Sequence, residues 1–158
     1  MPVVLDTDHL SILLKKSQPG SDRLLARLDE LAPDDIATTI VCFQEQVQGW
    51  LAYLNRAKTD AHVLRAYAEL DALCRWFSKM NVLPFSAAAL QCFHSLRKQC
   101  RRVGTLDLRI ASVALTTDAT LLSRNLRDFR QVPGLRVGNC LPDWRCTRLT
   151  RGLAPGES

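Results

Sequence analysis

Apolar residues recur along this chain in two rhythms, short unbroken runs and stretches repeating every three or four positions, and the two alternate. Pro2 to Leu5 is a short apolar run, suited to a buried strand. Helical patterns over 9–15 and 21–31 follow, broken apart by Pro19-Gly20, with Ser21 as the expected cap of the second. Asp35 to Thr39 reads as a second strand. From Ile40, apolar positions 40, 43, 47, 50, 51 and 54 share one helical face, and 63, 67, 70, 74 and 77 form another stripe, which predicts a helical hairpin. A strand over Asn81 to Phe85 precedes a helix capped by Ser86 and running to about Val103. Thr105 to Leu115 is apolar almost all round, the mark of a buried helix. Further strands are expected at Ala119 to Ser123 and Leu135 to Val137. Strands alternating with helices imply an α/β fold with a parallel sheet covered on both faces.

A chain of 158 residues is long enough for one domain with a real core. That domain is expected over 1–144, followed by a basic, mobile tail over 145–158 rich in Arg, Gly, Pro and Ser. There is no run of about 18 apolar residues to span a membrane and no charged-then-apolar leader, so a soluble, cytoplasmic protein is expected. The six cysteines, at 42, 74, 92, 100, 140 and 146, form no Cys-x-x-Cys pair. This argues against structural zinc and for free core thiols, with Cys140 and Cys146 able to pair if oxidised. The net charge is +5, of which the last fifteen residues carry +2 through Arg145, Arg148 and Arg151 against Glu157. Overall charge therefore says little about partners. Local clusters say more: Lys98, Arg101 and Arg102 precede Asp107, and Arg124, Arg127 and Arg130 surround Asp128. Either these are solvated surface residues or they contact phosphates, the sequence-independent part of nucleic-acid binding.

Asp107 lies in the first turn of the nearly all-apolar helix. It reads either as an acid favoured by the positive end of the helix dipole, with Thr105 as cap, or as a functional carboxylate. Ligands in open parallel sheets bind beyond the carboxyl ends of the strands. Asp6 and Asp8 stand at one such end, and Asn125 and Asp128 follow another. Asp6-Thr7-Asp8 can also form a turn or cap; Asp8 is open between the two readings, whereas Asp6, directly after the buried run, leans to function. Glu45 lies nearly opposite the apolar stripe of its helix and by local pattern is an ordinary exposed glutamate. If the four acids converge, neighbouring charges about 4 Å apart repel by about 4 kcal/mol at an effective dielectric near 20. Oxygen-only ligands suit Mg²⁺ or Mn²⁺, and one ion or a pair would serve phosphodiester hydrolysis. His9, His62 and His94 lack metal-ligand spacing, and His9 is expected in a local hydrogen bond. Trp50, Trp76 and the phenylalanines fit helix stripes, so core or dimer packing is expected of them rather than base stacking.

Asp6-Thr7-Asp8 after the first strand, Thr38-Thr39 followed by Glu45, Gly104-x-x-Asp107-x-x-Ile110-Ala111, and Leu122-Ser123-Arg124-Asn125-x-x-Asp128-Phe129 occur in order. Together they resemble the PIN-domain nucleases. Val132-Pro133-Gly134-Leu135-Arg136-Val137 sharpens the likeness to VapC-type toxins of prokaryotic toxin–antitoxin pairs, over about residues 2–144. The resemblance implies a PIN-like three-layer α/β/α fold around a mostly parallel sheet, and a Mg²⁺- or Mn²⁺-dependent endoribonuclease. It further implies a homodimer restrained by a small antitoxin protein that plugs the acidic cleft. The family's acids fall on Asp6, Glu45, Asp107 and Asp128, which serve as catalytic residues and metal ligands, with Asn125 as an accessory polar position. Arg124, Arg127 and Arg102 are the expected RNA contacts. Asp8 stands where asparagine is usual, adding a fifth acid, and the proline common before the late aspartate is absent.

Two other readings compete. A degenerate PIN domain would bind RNA or protein without cutting. A haloacid-dehalogenase-like phosphatase would use Asp6 and Asp8 as nucleophile and acid, but His9-Leu10 follows where a small turn is needed, and no downstream lysine block is apparent.

Overall fold

The computed structural model describes residues 2–15 and 20–139. The expected tail over 145–158, the end of the expected domain, and the Cys140–Cys146 pair lie outside the described residues.

The alternating pattern folds into five short strands, β1 (Val3–Leu5), β2 (Ile36–Thr39), β3 (Asn81–Leu83), β4 (Thr120–Leu122) and β5 (Arg136–Gly138). They form one sheet in the order β3-β2-β1-β4-β5, and every neighbouring pair is parallel. Helices α1 (Thr7–Leu14) and α2 (Ser21–Leu28) connect β1 to β2. The hairpin of α3 (Ile40–Asn55) and α4 (Asp60–Phe77) connects β2 to β3. The chain then passes through α5 (Ala87–Gln99) and α6 (Thr105–Thr116) to β4, and through the single turn α7 (Leu126–Phe129) to β5. From β1 the chain builds outward to β2 and β3, then returns across the sheet to β4. Right-handed crossovers run in opposite directions place their helices on opposite faces, which gives the three layers.

The reversal puts a topological switch point between β1 and β4, the place where an open parallel sheet leaves a crevice at its carboxyl edge. Register fixes it: Leu5 pairs with Leu122, and the Asp6 amide continues the ladder by donating to the Leu122 carbonyl at 2.9 Å. Asp6 and Ser123 therefore leave the sheet side by side. Beneath them the core is closed by Val4, Leu5, Leu10, Leu121 and Leu122 with α6, whose residues Leu108 and Ile110–Ala114 are all buried.

Several local expectations shift. Helix α1 begins at Thr7 rather than residue 9, because the Asp6 carboxylate accepts from the Thr7 amide at 2.7 Å and caps it. Ser21 is the first helical residue and not the cap; Gly20 holds that position at φ 96°, which a side chain disfavours. Likewise α6 is preceded by Gly104, with no side-chain capping bond, and Thr105 is already inside the helix. Ser86 does cap α5, accepting from the Ala89 amide at 3.1 Å. Pro84, which cannot donate to a ladder, follows the end of β3 at Leu83.

The α3 stripe turns partly outward. Ile40 and Leu51 are 41% and 44% exposed, while Val41 and Cys42 are buried instead. In α4 the buried set is Ala66, Leu73 and Phe77, and Tyr67 is exposed. Cys42, Cys74, Cys92 and Cys100 are free thiols as expected, although Cys74 is exposed rather than in the core. Among the described residues no helix is long and apolar enough to cross a membrane.

Candidate active site

Asp6 is the innermost carboxylate of the switch point, only 5% exposed. One oxygen accepts from the Thr7 amide and the other from Ser123 Oγ at 2.6 Å. Burial raises its pKa to about 6, assisted by the charges of Asp8 and Asp107 against the opposing pull of Ser123 and Thr7. Two hydrogen bonds do not make up for the water that Asp6 has lost.

Glu45 reaches the same crevice from α3. Its carboxylate accepts from Thr7 Oγ1, the residue next to Asp6. The neighbouring Gln46 ties α3 to α1, donating to Ser11 Oγ at 2.9 Å and to the Thr7 carbonyl at 3.4 Å. Glu45 is thus half-buried, not the exposed glutamate its local pattern predicts. Periodicity could not have found it, because the face opposite the apolar stripe is turned onto α1.

Asp107 sits in the first turn of α6, half-buried, with its pKa also raised to about 6. Burial is the main cause, followed by the charges of Glu45, Asp128 and Asp8. A Cβ added at Gly104 would lie 3.6 Å from its Oδ2, an ordinary contact, so no steric need of Asp107 demands the glycine. Asn125, between β4 and α7, links Asp107 to Asp128: its Nδ2 lies 3.3 Å from Asp107 Oδ2 and 3.1 Å from Asp128 Oδ2. The Asn125 amide itself donates to Ser123 Oγ at 3.0 Å. One network therefore runs from Asp6 through Ser123 to Asn125 and on to the two outer acids.

Asp8 has a different task. Its Oδ1 pairs with Nδ1 of the fully buried His9 at 2.8 Å, and its Oδ2 accepts from the Arg124 amide at 2.8 Å and lies 3.5 Å from Ser123 Oγ. Burial pushes its pKa up, but His9 and the Arg124 amide outweigh it and hold Asp8 below the usual carboxylate range. His9 makes the local bond expected of it. Asp8 pins the β4–α7 loop beside Asp6.

Sequence reasoning missed the hydroxyls of Thr7 and Ser123, although both stand inside the motifs it singled out. The available signal was a small polar residue ending an apolar strand run, where a buried carboxylate needs a donor. Arg102, Arg124 and Arg127 are all exposed. Trp50 and Trp76 pack against the core as expected, and the half-buried Trp50 also lines a surface groove with Tyr53, Glu45 and Thr7.

Among the described residues no lysine or arginine forms an ion pair with Asp6, Glu45, Asp107 or Asp128; the pairs there are Asp8–His9, Asp71–Arg75 and Asp118–Arg136. Nor do three of these acids close on a single point as the ligands of one ion would. The Asn125 amide stands between Asp107 and Asp128, and hydroxyls engage Asp6 and Glu45. What gathers is an uncompensated set of carboxylates, two with pKa values near 6. Chemically this donor set fits a hard divalent cation, all oxygen and in excess of local positive charge.

The model of the PIN domain matches residues 3–135. Ribonuclease VapC1 of Haemophilus influenzae strain R2866 is 28% identical over 144 residues, covering 86% of this chain and 96% of that protein. Ribonuclease VapC2 of Rickettsia felis is 31% identical over 68 residues, a shorter match spanning 40% of this chain and 51% of that protein. In fold the chain is similar to DNA-bound VapBC from Salmonella typhimurium, with a TM-score of 0.71, 21% identity and coverage of 89% and 98%. VapBC-1 from nontypeable Haemophilus influenzae gives a TM-score of 0.68 at 23% identity over 89% of this chain and 98% of that one.

Proposed function

The chain belongs to the PIN-domain family, and from that premise we propose that it is a metal-dependent endoribonuclease, the toxin of a toxin–antitoxin pair. The observation that carries this is that Asp6, Glu45, Asp107 and Asp128 line one crevice at the switch point, linked through Thr7, Ser123 and Asn125, without a cationic partner among the described residues. Relatives named as VapC ribonucleases support the substrate.

Asp6 and Asp107 would be the principal ligands of Mg²⁺ or Mn²⁺, with Glu45 and Asp128 completing the site. When bound, such an ion supplies charge neutralisation, a more acidic water and stabilisation of the leaving oxygen in phosphodiester hydrolysis. The protein's own part is preorganisation. Ser123 and Thr7 hold both oxygens of Asp6, Thr7 orients Glu45, and Asn125 keeps Asp107 and Asp128 together. Arg102, Arg124 and Arg127 offer phosphate contacts that bring a polyanion toward an acidic centre. Asp8, committed to His9 and the Arg124 amide, is no free acid for a phosphatase. The presence of all four acids speaks against a degenerate, binding-only domain.

A small antitoxin is the proposed protein partner, supported by the likeness in fold to VapBC from Salmonella typhimurium and VapBC-1 from Haemophilus influenzae, and the cytoplasm is the proposed compartment. The outward apolar residues of α3, α5 and the β3–α5 connection suit a homodimer: Ile40, Phe43, Val47, Phe85 and Leu90 line a groove of about 620 Å³.

The test is cleavage of total cellular RNA by purified protein with Mg²⁺, with Mn²⁺ and with EDTA. Discrete new RNA ends that vanish in EDTA are expected. RNA bound but uncut under all three conditions would move the protein to the binding-module reading.

A further inference from the structure

A second groove, of about 290 Å³, adjoins the acidic centre and takes no part in the chemistry above. Thr7 and Glu45 of the centre line it, together with the rings of Trp50 and Tyr53 and the cations Lys15 and Arg56. Glu45, Gly49, Tyr53 and Arg56 follow one another at spacings of four, four and three along α3, so they share one helical face. At 1.5 Å per residue, Tyr53 stands about 12 Å along the axis from Glu45.

The rings are held in place. Trp50 and Tyr53 meet edge to face at 5.4 Å, and the guanidinium of Arg65 on α4 lies 5.8 Å and 5.7 Å from their centroids. Gly49 adds an independent observation. A Cβ there would meet nothing within 4 Å, so no packing neighbour explains a glycine inside a helix, where glycine is disfavoured. What its bare backbone does is leave the groove open. Among the described residues, Lys15 and Arg56 have no ionic partner.

We propose that this groove binds a nucleotide of single-stranded RNA flanking the scissile phosphate, its base stacked on the face of Tyr53 with Trp50 standing edge-on beside that ring, and its phosphate held by Lys15 and Arg56. The proposal rests on the ribonuclease reading. A centre of four carboxylates repels a polyanion, so the strand needs cations close by on its way in. Aromatic faces accept any base, which makes this a site for unpaired RNA with little sequence preference.

The experiment measures the Kd of a labelled ten-nucleotide single-stranded RNA in EDTA, and KM and kcat for the same RNA in Mn²⁺. The proteins compared are wild type, Tyr53→Ala, Gly49→Gln, Lys15→Ala and, as a control on exposed α4, Tyr67→Ala. Tyr53→Ala and Gly49→Gln are expected to weaken binding roughly 5- to 100-fold, with the loss appearing in KM, while Tyr67→Ala binds as wild type. Lys15→Ala reduces the slope of log Kd against log salt by about 0.7. Gly49→Gln removes no packing, and thermal melting confirms that each variant is folded. Unchanged Kd and KM in both Tyr53→Ala and Gly49→Gln, with wild type cutting RNA, would overturn the subsite alone and leave the groove to a peptide. Wild type that neither binds nor cuts RNA would overturn the ribonuclease reading as well.

Discussion

Asp6 caps α1, ends a strand ladder and holds a carboxylate out of water, and the last of these costs stability. For an acid whose folded pKa is raised from 3.8 to about 6, the folded state binds more protons than the unfolded one between those values. Stability therefore falls as pH rises through that window and stays low above it. The metal-free protein is expected to melt higher at pH 5 than at pH 7.5, as read by calorimetry. Asp107→Asn should raise Tm at pH 7.5 by about 2–4 °C, a modest figure because Asp107 is half-exposed and its repulsion partly screened. Mn²⁺, proposed to bind the acids in their ionised form, should stabilise wild type increasingly as pH rises through about 6. Asp8 behaves oppositely. Its removal in Asp8→Ala leaves the buried His9 and the Arg124 amide without their acceptor, a loss of about 1–3 kcal/mol in urea unfolding. That role separates it from the other acids, and the sequence could not show it, since Asp-Thr-Asp reads alike whether its second acid points into the cleft or back onto its neighbours.

Helix α3 carries the largest gap between pattern and structure. A single amphipathic stripe predicts a single buried face, yet α3 meets three environments. Val41 and Cys42 enter the core, Glu45 and Gln46 face α1, and Ile40, Phe43 and Val47 open onto an outer groove. Helix α6 was legible apart from its cap because it is buried nearly all round, and the existence of each strand was legible because its apolar run sits between helices. Glu45 became visible only through the Thr38-Thr39 block before it, because its environment is made by another helix. Gly49 is the weak point of α3, an interior glycine whose added Cβ has open space. Gly49→Ala should therefore stabilise the fold by about 0.5–1 kcal/mol, measured by chemical denaturation.

At the scale of the whole molecule, strand order decides where chemistry can occur. Because β1 and β4 lie side by side while the chain between them builds the β2–β3 side of the sheet, residues 6 and 123 become hydrogen-bonded neighbours. Alternation of strands and helices foretold the sheet and the motifs' likeness to a family foretold its three layers, but neither the order of strands nor its reversal is written in any local pattern. The outer groove makes a claim at the same scale. Light scattering is expected to give a dimer mass for wild type and a monomer for Leu90→Glu, which sets a charge among apolar groove residues.

The central claim, that four converging acids hold a metal which cuts RNA, is tested most directly by the rate of RNA cleavage in Mn²⁺ by wild type, Asp6→Asn and Asp107→Asn, each shown to be folded and to bind RNA in EDTA. The account predicts that both variants keep their RNA affinity and lose cleavage by at least about 100-fold. Cleavage at the wild-type rate by either folded variant would contradict it.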